Sequence, residues 1–232
     1  MKIVFKTLLL SLVCVSLGNA RELIFEDHFE RDENPKTAEQ PGNGWGTNSK
    51  SRAAGNKQVD LVDGAMHIYR HKVADHGVSV VQDLAFKDAT IEMRFKIRKG
   101  DELGINIADM KEKSVHAGHI CAARIRTNQV TLQDLKTGRM KLEIRERAKS
   151  KTATEADKAL IATKQQTSKI AIAPDTWHKL TVKLSGDTMV VSINEEPVAE
   201  FTSEGIGHAT KSRIRLAVPK QAWVDDMFVY RD

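Results

Sequence analysis

The chain has 232 residues, of which 29% are charged and 41% apolar, and a formal net charge of +5. That balance is too weak to argue for a nucleic-acid partner, and the length suits one large domain better than two small ones. The only cysteines are Cys14 and Cys121.

The first element is a leader. Lys2 and Lys6 precede an apolar run from Thr7 to Leu17, and Gly18-Asn19-Ala20 puts small residues where a signal peptidase cuts. The run is too short to span a bilayer; the alternative is a retained N-terminal anchor. Cys14 follows Val13 rather than a small residue, which argues against a lipoprotein anchor. Residues 1–20 are therefore expected to be a signal peptide and residues 21–232 the mature domain, exported to the periplasm or beyond. No second apolar run suits a membrane helix, so no stable membrane insertion is expected. Losing Lys2 and Lys6 takes the formal charge to about +3. Cys121 is then the only cysteine, no intramolecular disulfide can form, and a packed core must hold the fold.

The mature part opens with a strand, Leu23–Phe29, that carries Phe25-Glu26-Asp27-His28-Phe29. Arg31 to Lys57 is rich in Asn, Gly, Pro and charge and reads as a long loop around Trp45. Strands are predicted over 58–62, 65–70 and 78–83. The clearest is Ile91–Ile97, where Ile91, Met93, Phe95 and Ile97 point one way and Glu92, Arg94 and Lys96 the other. Strands follow over 104–108, 119–126 and 130–134. Lys136 to Lys169 is strongly charged and reads as an insertion with a solvated surface. Thr154-Glu155-Ala156-Asp157 begins a short helix in it, near Thr154–Gln165. His178–Leu184, Met189–Ile193 and Val198–Phe201 form a meander with turns at Ser185-Gly186-Asp187 and Asn194-Glu195-Glu196-Pro197. Arg213–Val218 and Trp223–Tyr230 close the chain. A dozen short strands without a long helix predict an all-β fold: a two-sheet antiparallel jelly-roll sandwich.

Several segments carry a resemblance. They are Phe25–Phe29, Ile91–Ile97, His116-Ala117-Gly118-His119-Ile120-Cys121, Asp134-Leu135-Lys136-Thr137-Gly138, Trp177-His178-Lys179-Leu180, Ser203–His208 and Val224-Asp225-Asp226. Together they resemble the concanavalin A-like lectin/glucanase superfamily. Within it they are most similar to bacterial exported domains of the 3-keto-disaccharide hydrolase, or 3-keto-glucoside lyase/hydratase, type. The resemblance implies two curved sheets, a sugar-sized groove on the concave face and carbohydrate as partner. It also implies that first and last strands lie side by side with a structural calcium close by, for which Asp27, Asp225 and Asp226 offer oxygen ligands. The glucanases of the superfamily carry Glu-x-Asp-x-x-Glu on one strand, and this chain has no such motif. Ordinary glycoside hydrolysis needs two carboxylates flanking the scissile bond, so a retaining glucanase mechanism is disfavoured.

The candidate chemistry lies mid-chain. Pairing of Gly104–Ala108 with His119–Arg126 would bring Asp109 and His119 to one sheet end, with His116 in the connecting loop. These three could hold a divalent metal or supply a general base beside a carboxylate. Attack on a 3-keto sugar needs a proton removed beside a carbonyl and the enolate stabilised, tasks for a histidine and for a metal or arginine. Alternatively the two histidines cap the strand, with His119 on the same face as Cys121, Ala123 and Ile125, a core face. Cys121 reads as a small buried hydrophobe. Glu92, Arg94, Arg124 and Arg126 are expected to line a groove or to be solvated. His208, in the turn Gly205-Ile206-Gly207-His208, is placed at a groove edge or in an ordinary turn. Trp45 is either a sugar-stacking platform or a plug over the core. The competing function is a non-catalytic glycan-binding or cell-envelope module.

Overall fold

The computed structural model describes residues 21–33 and 39–232. The expected signal peptide lies outside the described residues. Two antiparallel sheets are built from short, alternating strands. The first contains β1 (Glu22–Asp27), β3 (Val59–Val62), β4 (Ala65–Tyr69), β6 (Ala89–Lys96), β11 (His178–Ser185), β12 (Thr188–Ile193), β13 (Glu196–Thr202) and β15 (Gln221–Arg231). The second contains β2 (Gly46–Thr47), β5 (Val78–Phe86), β7 (Leu103–Ala108), β8 (His119–Arg126), β9 (Gln129–Asp134), β10 (Gln165–Lys169) and β14 (Lys211–Val218).

The first sheet runs β13-β12-β11-β6-β15-β4-β3, and the second β10-β9-β8-β7-β14-β5-β2. β15 has β6 along one edge and divides the other: Gln221–Val224 pair with β4, and Met227–Arg231 pair with β1. The change-over falls at a bulge where the register shifts between Asp225 and Phe228 and Asp226 takes φ +46. The first and last strands are thus neighbours, as the resemblance implied.

Period-2 patterning explains why these segments are strands. In β11 His178, Leu180, Val182 and Leu184 are buried, while Lys179, Lys183 and Ser185 are exposed. The turn from β12 to β13 places Asn194 and Glu195 at φ +51 and +73, the mirror-image hairpin turn that matches strand twist. Ile91, Met93, Phe95, Leu180, Val182 and Val229 from one sheet join Ile105, Ile107, Ala123, Ile125, Leu132 and Leu216 from the other in one core. Burying each large side chain stabilises by about 1.5–3 kcal/mol. Cys121 sits in that core, where burial pushes its thiol up to about 12.

One short helical turn, α1 (Ser49–Arg52), precedes β3, and the charged insertion holds α2 (Leu142–Lys149) and α3 (Glu155–Thr163). α3 begins where the sequence signals it: Thr154 Oγ1 accepts from Asp157 N and Asp157 Oδ2 from Thr154 N. Arg147 from α2 clamps the same carboxylate at 2.8 and 2.6 Å. β10 is the unexpected strand. Its sequence QQTSK has no apolar alternation, and it forms through backbone pairing with β9 and the side-chain pairs Thr131–Thr167 and Gln133–Gln165, each at 3.0 Å.

Trp45 is a core plug and not a stacking platform. It is 7% exposed, packs edge-on to Phe25 and beside Phe29, and donates its indole N–H to Asp27 Oδ2 at 2.7 Å. A buried indole needs such an acceptor. Asp27 also accepts from Phe29 N, Asn43 and the guanidinium of Arg31.

Candidate active site

The outer face of the second sheet carries a groove of about 430 Å³, lined by Arg52, His76, Glu102, Asn106, His116, His119 and Arg215 among others. A second hollow of about 220 Å³ shares Glu102 and continues over Arg124, Arg126, Thr131, Gln165 and Thr167. Strand alternation selects these residues. In β7, Ile105 and Ile107 face the core, so Asn106 faces outward; in the sheet it lies opposite Arg215 on β14 and Ala122 on β8.

His119 reaches this face through an irregularity. Simple alternation puts it with Cys121 and Ala123 in the core. The register between β7 and β8 shifts between Ile107 and Ala108, so Ala108 pairs with His119 while Ile107 pairs with Cys121. The extra residue, Ile120, is buried in the core beside Cys121, and His119 turns into the groove. The loop before it is a 3-10 turn, His116–Gly118, in which Ala117 and Gly118 take φ +49 and +69.

The hydrogen bonds fix the tautomers. Asn106 Oδ1 lies 2.9 Å from His119 Nδ1 and accepts from Arg215 Nη1 at 3.3 Å. Guanidinium only donates, so the amide atom facing it is the oxygen; Arg215 Nη1 also lies 3.2 Å from His119 Nδ1, and the shorter contact, to the Asn106 oxygen, assigns the proton to Nδ1. Nε2 of His119 is then a lone pair with no protein partner among the described residues. Arg145 Nη2 lies 3.1 Å from His116 Nε2. By the same rule His116 Nε2 accepts and its Nδ1 carries the proton. The two rings lie 6.2 Å apart at 29°. The groove therefore holds an imidazole acceptor beside an imidazole donor.

Burial, and then the neighbouring Arg215, His116, Arg139 and Arg145, push the His119 pKa down to about 3. Burial followed by Arg145 and Arg215 also lowers His116. Both rings are neutral at neutral pH. Arg215 is 8% exposed, and burial brings it down to about 10. Its other guanidinium nitrogen donates to Ala117 O at 2.7 Å.

The structure brings His116 and His119 together but directs Asp109 elsewhere. The Asp109 carboxylate accepts from Thr210 Oγ1 at 2.6 Å, Lys111 N at 2.9 Å and His208 Nε2 at 3.0 Å. Burial raises this carboxyl, and the hydrogen bonds outweigh it and hold the pKa at about 2. His208 thus serves a separate cluster with Asp109 and Lys136 rather than the groove edge. Arg124 and Arg126 do line the second hollow, both holding the Glu102 carboxylate, at 2.7 and 2.6 Å. Glu92 and Arg94 stand on the other sheet, in a hollow with Trp177, Lys179, Asp226 and Phe228, so the four expected groove residues do not share a face.

A metal does not fit the expected donors. Asp27 is filled by Arg31, Asn43, Trp45 and the Phe29 amide. Asp225 is held by Arg94 and Asp226 by His28. At the histidines the neighbours are guanidiniums. Among the described residues no group of three or more His, Cys, Asp or Glu side chains is arranged to hold an ion.

Asn106, Arg215, Arg139 and Arg145 escaped the sequence reading. The outward position of Asn106 between Ile105 and Ile107, and of Arg215 between Ile214 and Leu216, was the available signal.

Residues 38–229 match the family described as the 3-keto-alpha-glucoside-1,2-lyase-like domain. The chain belongs to this family. No curated protein matches the sequence. Among solved structures, the fold is similar to a laminarinase from Rhodothermus marinus at TM-score 0.59 and 12% identity, covering 91% of this chain and 98% of that one. A laminarinase from Flavobacterium sp. gives 0.59 and 12%, covering 90% and 100%. A GlcNAcα1-4Gal-releasing endo-β-galactosidase from Clostridium perfringens gives 0.60 and 9%, and this chain covers 63% of that longer protein. At such identities the likeness is one of fold. The family member here has the jelly-roll sandwich of those hydrolases.

Proposed function

We propose that this domain, exported by its leader, cleaves 3-keto-glycosides by elimination in the groove around His119. The observation that carries the reading is the pairing of tautomers: a neutral His119 with Nε2 free, beside a neutral His116 with its Nδ1 proton free. His119 Nε2 takes the proton from C2, next to the C3 ketone. The C–H electrons move into the carbonyl, and the C3 oxyanion receives the His116 Nδ1–H and the positive charge of Arg215. The enolate then reforms the carbonyl and expels the C1 oxygen, which takes the proton back from His119, directly or through water. The products are an unsaturated 3-keto sugar and the free alcohol. Water adding across the new double bond would complete a hydrolysis. The family match supports the substrate type. The groove-lining carboxylate, Glu102, is taken up by two arginines, so the paired-carboxylate route finds no support. That same feature favours the second reading, a glycan-binding module without turnover.

The test uses a nitrophenyl 3-keto-glucoside in deuterated water. The proposal expects release of nitrophenol and deuterium at C2 of the recovered 3-keto sugar, and loss of both in His119→Ala, with the circular dichroism spectrum intact. Unchanged turnover in that variant rejects the assignment, and binding without turnover in the native chain selects the second reading.

A further inference from the structure

The chain has three tryptophans and two tyrosines. Trp45 plugs the core. The other four, Tyr69, Trp177, Trp223 and Tyr230, are half-buried and stand with Phe228 on the outer face of the first sheet. The groove around His119, on the opposite side of the sandwich, is lined by no Phe, Tyr or Trp among the described residues. Trp223 is already covered, by His67 parallel to it at 4.2 Å and by the cations of Lys96 and Arg98. Trp177 and Phe228 border open space. With Glu92, Arg94, Lys179 and Asp226 they line a hollow of about 400 Å³.

Register sets these side chains in rows. Phe228 pairs with Glu92, and both Asp225 and Lys179 pair with Arg94. Trp177, next to His178, lies beside Arg94 and Lys96, whose cations stand 5.0 Å from its ring centre. Phe228 thus closes one end of the hollow and Trp177 the other, in rows about 13 Å apart along β6 at the usual strand rise. The bulge in β15 turns Asp226 into the hollow at φ +46, where an uninterrupted strand would point it inward. The ion pairs of the lining, Glu92–Arg21 at 3.3 Å, Asp226–His28 at 2.8 Å and Lys179–Glu195 at 3.4 Å, all have an exposed partner. Surface pairs of this kind are weak enough for a ligand's hydroxyls to replace.

From this geometry we propose that the hollow is a second carbohydrate site, separate from the groove, that holds an extended neutral glycan. A pyranose has an apolar C–H face and a rim of hydroxyls. An aromatic ring takes the first, and carboxylate and guanidinium take the second through charge-assisted hydrogen bonds. The lining sets two acids, Glu92 and Asp226, against two bases, Arg94 and Lys179, so its charge balances and selects a neutral ligand. Rings at opposite ends of the hollow suit a chain of several sugar units rather than one. A protein partner does not fit this face. The outward positions of β4, β6, β11 and β15 hold no Leu, Ile, Val or Met, and the centre of a protein interface is depleted in the Lys, Glu and Asp found here. The site holds the glycan and performs no chemistry, and it does not depend on the elimination in the groove.

The full mature chain is titrated calorimetrically with cellohexaose, laminarihexaose and maltohexaose. At least one should bind, and glucose about tenfold or more weaker. Because the ligand is neutral, raising the salt should leave that affinity in place. Trp177→Ala should weaken the binding about tenfold or more, through loss of a stacked ring. Glu92→Gln leaves the core untouched and should weaken it about threefold or more, so it decides the matter if Trp177→Ala fails to fold. Turnover of the nitrophenyl 3-keto-glucoside should be unchanged in Glu92→Gln and in folded Trp177→Ala, and His119→Ala should bind the hexasaccharide as the native chain does. No binding of any of the three hexasaccharides, native affinity in both outer-face variants, or a loss confined to His119→Ala overturns the inference. Hexasaccharide binding lost in the outer-face variants, with no turnover of the 3-keto-glucoside by the native chain, keeps it and removes the elimination reading; turnover without hexasaccharide binding does the reverse.

Discussion

Arg215 Nη1 lies 3.2 Å from His119 Nδ1, and the two meet at one acceptor, Asn106 Oδ1. A cation that close to a ring nitrogen makes the imidazolium unfavourable. The shared oxygen decides which nitrogen keeps the proton. The site's chemistry follows from that three-way contact on adjacent strands, β8, β7 and β14.

Asn106 is therefore a positioning residue, and two substitutions at it should diverge. Asn106→Ala removes the acceptor, frees the ring and should lower turnover by about tenfold or more. Asn106→Asp places an anion between Arg215 and His119, so the His119 pKa should rise from about 3 toward the ordinary 6.5. Nitrogen shifts of the imidazole report both tautomer and pKa. A His119 titration identical in all three proteins would show that the contact does not set the ring's state.

Acid should expose the same depressed group as a stability effect. Between pH 6.5 and about 3 the unfolded chain protonates His119 and the native chain does not. The unfolded state binds more protons there, so stability is fully present above 6.5 and declines as pH falls, by at most about 1.4 kcal/mol per unit for one proton. His67 and His116 are lowered as well, and His28 is raised by Asp226 with the opposite sign. The difference between native chain and His119→Asn isolates one ring. Urea midpoints for the two should converge as pH drops from 6.5 to 4.5. Parallel curves would contradict the depressed value.

Much of this could be read before the structure, and the residues show where reading stopped. Alternation placed Ile91–Ile97 and His178–Leu184 because each residue's side follows from its neighbours. It misplaced His119 because one extra residue at Ile120 inverts the pattern, and a bulge leaves no mark on composition. Asp109 sits near His119 in the chain, yet Thr210 and His208, remote in sequence but leading into the neighbouring strand β14, capture it. Arg145 was hidden in a charged insertion, where an arginine that meets His116 and a solvated one look the same.

The Asp27 cluster should behave as structure rather than as a metal site. Burial raises Asp27, and Arg31, the Phe29 amide, Asn43 and Trp45 together outweigh it and lower its pKa. Asp27→Ala strands the Trp45 indole N–H and leaves the Arg31 guanidinium only the Pro41 carbonyl, and should cost about 3–5 kcal/mol. Trp45 fluorescence should shift in the folded variant. Since these carboxylate oxygens are occupied, a chelator should leave the native midpoint where it is. A fall in midpoint with chelator would point to calcium at the paired ends.

Gly118 joins the fold to the chemistry. Its φ is +69, and a Cβ there would stand 2.2 Å from Asp109 O, a backbone atom that cannot swing aside. The same glycine's carbonyl accepts from Asp109 N at 2.9 Å, closing the loop between β7 and β8. Its neighbour Ala117 offers its own carbonyl to Arg215 at 2.7 Å. Gly118→Ala must therefore push the two loop ends apart, with a loss of about 2 kcal/mol or more from strain and overlap. The movement should reach Arg215 through Ala117 and His119 through the adjoining peptide. Turnover should then fall by more than the unfolded fraction explains at the assay temperature. Thermal midpoint and turnover measured on one preparation decide it: a lower midpoint with full activity in the folded fraction would separate the loop from the site.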